Sequence, residues 1–123
     1  VAVQDAKAAA DELERCITQL GFSGVMINGA TNGMYLDDPS VEVFWERAAA
    51  LKAPVYIHPN NPIDHPSMYN GHPELWGPMW SWGVETATHA MRIVTAGVFE
   101  RYPDAKIILG HMGEAIPFQL WRI

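Results

Sequence analysis

Apolar residues along the chain follow two alternating periods, one helical and one extended. Ala9, Leu13, Cys16, Ile17 and Leu20 recur at helical spacing and Gly21 stands where a helix end wants glycine, which predicts a first helix over about residues 3–20. Gly24-Val25-Met26-Ile27-Asn28-Gly29 is too short an apolar run for a helix and reads as a buried strand, followed by the turn-rich Thr31-Asn32-Gly33. Asp38 before Pro39 is an N-cap with proline at the first helical position, and Val41, Phe44, Trp45, Ala48 and Leu51 form one stripe of a second helix ending near Lys52. Pro54 to Ile57 is the second strand. Val84, Ala87, Met91, Val94 and Val98 mark a third helix, whose opposite face carries Glu85, His89 and Arg92. That polar face is expected at the surface or at a subunit contact. Lys106 to Leu109 is the third strand, and a new helix is expected from Met112 onward.

The resulting order, αβαβαβα, predicts an α/β fold with parallel strands and right-handed crossovers. Three strands cannot close a barrel, and a (β/α)₈ barrel takes about 250 residues. An open sheet of this size leaves two edges and much of one apolar face uncovered. The expectation is therefore a single segment of a larger domain, or a chain completed by partners. A chain that opens on Val1 and stops at Ile123, just into a helix, fits a fragment.

Two of the strands lead into a histidine, in Val55-Tyr56-Ile57-His58-Pro59 and Ile107-Ile108-Leu109-Gly110-His111. In parallel α/β folds the carboxyl edge of the sheet is where ligands bind, because the loops leaving it are free to vary. A strand-end histidine is either a metal ligand or a hydrogen-bonded structural group. Glu114 stands three residues after His111, where it either orients that imidazole or serves as an acid at a helix N-terminus. The stretch from Pro59 to Pro78 holds five of the nine prolines (Pro59, Pro62, Pro66, Pro73, Pro78) and is long for a structureless loop, as active-site walls often are. Trp76, Trp80 and Trp82 are candidate pocket walls, while His65 and His72 read as loop polar residues.

Composition narrows the partners. With 49% hydrophobic and 18% charged residues, the chain is suited to a packed core rather than to disorder. A net charge of −6 without a basic stripe argues against nucleic acid. No apolar run approaches the roughly 18 residues of a membrane span, and the lone Cys16 fits a reducing, cytoplasmic compartment.

Tyr56-Ile57-His58-Pro59, WSWGVETATHAMR from Trp80 to Arg92, and GVFERYPDAKIILGHMGEAIPFQLWRI from Gly97 to Ile123 resemble the decarboxylase branch of the amidohydrolase superfamily, above all the gamma-resorcylate decarboxylase group. The resemblance covers essentially the whole chain, and its GHMGE and PFQLWRI runs are specific. It implies a metal-dependent (β/α)₈ barrel whose fourth, fifth and sixth strands are those found here. It implies that His58 is a ligand of the divalent metal, Zn²⁺ or Mn²⁺. By the same resemblance His111 handles protons at the substrate, Glu114 supports it, and Arg122 meets an acidic group of the substrate or forms a structural ion pair.

The implied reaction is the non-oxidative loss of carboxylate from a small aromatic acid, a hydroxybenzoate. The family's other metal ligands, an E-x-H or H-x-H near the amino terminus and an aspartate after the eighth strand, have no counterpart in these residues, so the ligand set is incomplete and the isolated chain is expected to be inactive. The alternatives are a metal-dependent hydrolase of a lactone or cyclic amide on the same scaffold, and an inactive fragment serving in assembly. The relatives implied by the resemblance are oligomers, so a homo-oligomer is expected.

Overall fold

The structure, a computed structural model, describes every residue from Val1 to Ile123. In chain order it contains α1 (Ala6–Thr18), β1 (Val25–Asn28), α2 (Glu42–Ala50), β2 (Val55–His58), α3 (Ser81–Thr95), α4 (Val98–Arg101), β3 (Ile107–Leu109) and α5 (Ile116–Gln119). The strands form one parallel sheet in the order β1-β2-β3, with Asn28 opposite His58 and Ile57 opposite Leu109. This is the alternation read from the sequence. The boundaries shift for local reasons. α1 is shorter than predicted because the Asp5 carboxylate caps it by accepting the Ala8 N–H at 2.9 Å. Asp38 caps a short 3₁₀ turn, Pro39–Val41, that leads into α2.

Helices α1 to α4 share one face of the sheet. Ile27, Val55 and Ile57 join Leu13, Phe44, Trp45, Ala48 and Ile93 in a single core, with Leu13, Phe44, Val55, Ile57 and Ile93 fully buried. Each such side chain contributes about 1.5–3 kcal/mol by leaving water. The other sheet face is open, with Met26 51% and Ile108 47% exposed. This is the uncovered face expected of an open sheet of three strands, and it carries Tyr56 and His58. All the crossovers lie on the same side, the arrangement from which a barrel is wound.

α3 departs most from the sequence reading. Its buried residues are Ser81, Glu85, Thr86, His89, Ala90 and Ile93, whereas Val84 and Val94 of the supposed core stripe are 42% and 41% exposed. The polar face turns inward because it finds partners there. His89 Nε2 accepts the Leu36 N–H at 3.1 Å, and Arg92 makes a two-pronged ion pair with Asp37 at 2.8 and 2.9 Å. His89 is therefore a buried tie to the loop after β1, not a surface or subunit-contact residue.

Two further differences concern the loops. The Pro59 to Pro78 segment contains two 3₁₀ turns, Ser67–Tyr69 and Pro73–Leu75, around a small aromatic cluster in which His65 stacks on Trp76 at 4.8 Å. After β3 no helix starts at Met112. A 3₁₀ turn, His111–Gly113, comes first, with His111, Met112 and Glu114 at φ of 45°, 61° and 51°, and the single-turn α5 follows. No helix is long and apolar enough to cross a membrane.

Candidate active site

An open depression lies at the carboxyl ends of β1 and β2. Asn28, His58, Pro59, Asn60 and Trp82 line it. The pleat of β2 buries Val55 and Ile57 and sends Tyr56 and His58 to the other face, so His58 reaches the open side at the last residue of the strand. Its Nδ1 lies 2.8 Å from the Pro59 carbonyl oxygen. A carbonyl only accepts, so Nδ1 carries the proton and Nε2 keeps a free lone pair. This is how a metal-binding histidine is oriented by its second nitrogen.

β3 is held close beside it. The Gly110 N–H donates to the Ile57 carbonyl at 3.0 Å, continuing the ladder, and a Cβ at Gly110 would lie 2.4 Å from Pro59 Cδ. Only glycine allows that approach. His111 follows directly, and its ring centroid stands 5.9 Å from that of His58. Residues with positive φ other than glycine cost on the order of 1–3 kcal/mol each and gather at functional sites. His111, Met112 and Glu114 all adopt such values here.

Glu114 returns to His111. Its Oε1 lies 2.9 Å from His111 Nδ1, an ion-pair contact whose angle is not that of a hydrogen bond. The carboxylate is 15% exposed and rests beside Gly83 in the first turn of α3. Trp82 closes one side, with its ring 6.1 Å from His58 and 5.7 Å from His111 and its Nε1 donating to Asn61 Oδ1 at 3.0 Å. Trp76 belongs to the loop cluster, and Trp80 is 55% exposed.

His58, His111 and Glu114 are thus brought together, and Arg122 is not. Its guanidinium lies 5.4 Å from the Trp121 ring in the exposed stretch after α5 and makes no ion pair. No three His, Cys, Asp or Glu side chains converge on one point, and His58 fits the role of a single ligand contributed to a divalent metal. Sequence reasoning overlooked Asn28 and Asn60 on the rim and Glu85 behind it. The strand-end position of Asn28, level with His58, was the available signal.

The amidohydrolase family profile matches residues 1–122. The chain belongs to the amidohydrolase family. Gamma-resorcylate decarboxylase of Polaromonas sp. is 46% identical to it over 128 residues, spanning 98% of this chain and 39% of that protein. The structure of 2,6-dihydroxybenzoate decarboxylase from Rhizobium superposes with a TM-score of 0.91 at 44% identity, over 98% of this chain and 40% of that one. The dihydroxybenzoic acid decarboxylase of Polaromonas sp., solved with bound manganese and the inhibitor 2-nitroresorcinol, gives 0.90 at 48% identity, over 98% and 38%. The chain spans about two fifths of the length of these relatives. Its fold is accordingly part of an amidohydrolase (β/α)₈ barrel, three parallel strands with their crossover helices.

Proposed function

We propose that this chain carries one side of the active site of a divalent-metal-dependent, non-oxidative hydroxybenzoate decarboxylase of the resorcylate type. The observation behind the reading is the pairing at adjacent strand ends of His58, with its Nε2 free, and His111, backed by Glu114. The activities of the relatives and the manganese bound in one of them point the same way.

In this reading His58 is a ligand of the metal, manganese or zinc, whose contribution when bound is to offset the negative charge of the substrate's carboxylate and ortho oxygen. The protonated His111 delivers its proton to the ring carbon that bears the carboxylate. The bond from that carbon to the carboxylate then breaks, its electron pair restores the aromatic ring, CO₂ leaves, and the neutral imidazole regains a proton from solvent. Glu114 holds the His111 ring in place. Trp82 offers a flat wall to a planar substrate. By the family resemblance alone Arg122 is assigned to the substrate's acidic group, since its guanidinium lies over Trp121 in the exposed stretch after α5, apart from His58, His111 and Glu114. One protein ligand makes a poor metal site, so the isolated chain binds metal weakly and does not turn over.

A graft tests this. This chain, placed in the Polaromonas enzyme in exchange for the matching two fifths of its length, is expected to give manganese-dependent CO₂ release from 2,6-dihydroxybenzoate, and His58→Ala in the graft to abolish it. A folded, metal-loaded graft without turnover would overturn the reading, as would turnover by the 123-residue chain alone for the claim that it is inactive.

A further inference from the structure

Behind the depression lies a polar pair that the proposed chemistry does not use. Glu85 is 2% exposed and His89, one turn later on the same face of α3, is 0% exposed. Glu85 Oε1 and His89 Nδ1 make no hydrogen bond. An apolar pair would fill the same helix face without the cost of burying polar groups, so their presence asks for a reason.

Their neighbours suggest one. A Cβ built on Gly29 would lie 3.3 Å from Glu85 Oε1 and 2.7 Å from the Asn60 Cβ, so the end of β1, the loop after β2 and the Glu85 carboxyl meet at one point. Gly29 adopts φ +51° there, and its N–H donates to the His58 carbonyl at 3.1 Å. Asn28 and Asn60, on either side of this meeting point, are rim residues of the depression, together with His58. His89 extends the brace through the Leu36 N–H, and the Leu36 carbonyl in turn accepts from Trp45 Nε1 at 2.7 Å. One face of α3 therefore touches both loops that carry the rim.

We infer that Glu85 is a positioning residue: its buried carboxyl, packed where Gly29 meets Asn60 and extended by His89, braces the loops leaving β1 and β2 so that Asn28, His58 and Asn60 keep their places on the rim. Its relevance to catalysis rests on the proposed function, but the brace itself can be read without metal or substrate. The other groups around Glu85 are the Thr86 hydroxyl on its own helix and Tyr35 from the loop after β1.

NMR on the full chain without metal tests the brace. The amide signals of Gly29 and Asn60 are expected to move together with the Glu85 carboxyl carbon through a transition near pH 7. In Glu85→Gln that shared movement is lost while the rest of the spectrum keeps the dispersion of a folded chain. Glu85→Leu, which fills the space without polar atoms, is expected to displace the signals of Asn28, His58 and Asn60. The inference fails if Gly29 and Asn60 ignore the Glu85 transition, or if a folded Glu85→Leu leaves the rim signals in place. Should Glu85→Leu not fold, the Glu85→Gln comparison decides alone. A folded, metal-loaded graft without turnover, with the brace intact in this chain, counts against the proposed function and not against this inference.

Discussion

His58 and His111 face each other across the ends of β2 and β3, ring centroids 5.9 Å apart and ring planes at 77°. Two imidazoles so close invite a shared role, but their second nitrogens differ. His58 Nδ1 is taken up by a neutral carbonyl, which suits a neutral ligand, whereas His111 Nδ1 lies against a carboxylate, which suits a ring that carries and returns a proton.

The spacing of the two rings depends on Gly110. Its replacement by alanine would set a methyl 2.4 Å from Pro59 Cδ, with the Ile57 carbonyl oxygen 3.1 Å away. Such overpacking costs roughly 1–3 kcal/mol. Gly110→Ala is expected to lower the urea midpoint by an equivalent amount and to shift the ring signals of both histidines. An unshifted His58 ring would show that the strand ends are not held by this contact.

In the grafted enzyme, His111 and Glu114 should separate cleanly. General acid catalysis by a placed side chain is worth about 10²–10⁴-fold, so His111→Gln is expected to remove that much from kcat. A supporting carboxylate is worth roughly 10–100-fold, and Glu114→Gln is expected to fall in that range with KM little changed. Equal losses in the two variants, measured by CO₂ release, would mean that Glu114 does more than support the ring.

Much of this site was legible because strand ends can be read from a short apolar run and its terminal polar residue. Val55 to His58 and Ile107 to His111 needed only that rule, and the parallel order followed from helix-strand alternation. The burial of α3 was not legible. Both of its faces carry apolar residues, Val84, Ala87, Met91 and Val94 on one and Ala90 and Ile93 on the other, so periodicity cannot choose between them. The choice is made by distant backbone and side-chain groups, the Leu36 N–H and the Asp37 carboxylate, which no local pattern reveals. The turn at His111 and Met112 was missed likewise, because residues other than glycine rarely adopt positive φ without surrounding structure to impose it.

His89 illustrates what such a distant partner is worth. Its Nε2 is the acceptor for the Leu36 N–H, and burial drives the imidazole pKa down to about 4, so the ring stays neutral. His89→Leu leaves that donor buried and unpaired, at a cost of about 1–3 kcal/mol. His89→Gln, which retains an acceptor, is expected to recover part of the loss in chemical denaturation. If both variants match the wild type, the Leu36 contact is not holding the loop after β1 to α3.

Glu85 and His89 should also write opposite pH dependences into stability. Burial raises the Glu85 carboxyl from its ordinary 4.5 to about 7, so between those values the folded chain holds a proton that the unfolded chain has released. Stability from this group is fully present below about pH 4.5 and is lost as pH rises through 7. His89 is lowered from 6.5 to about 4, so its stability is present above 6.5 and is lost as pH falls toward 4. Between about 4.5 and 6.5 the two slopes offset each other. Glu85→Gln mimics the protonated acid and removes only the first. It is expected to equal the wild type near pH 4.5 and to exceed it by on the order of 3 kcal/mol near pH 8, as read from urea unfolding at both values. A gap that does not change with pH would show that some other group, not the Glu85 carboxyl, titrates between the two.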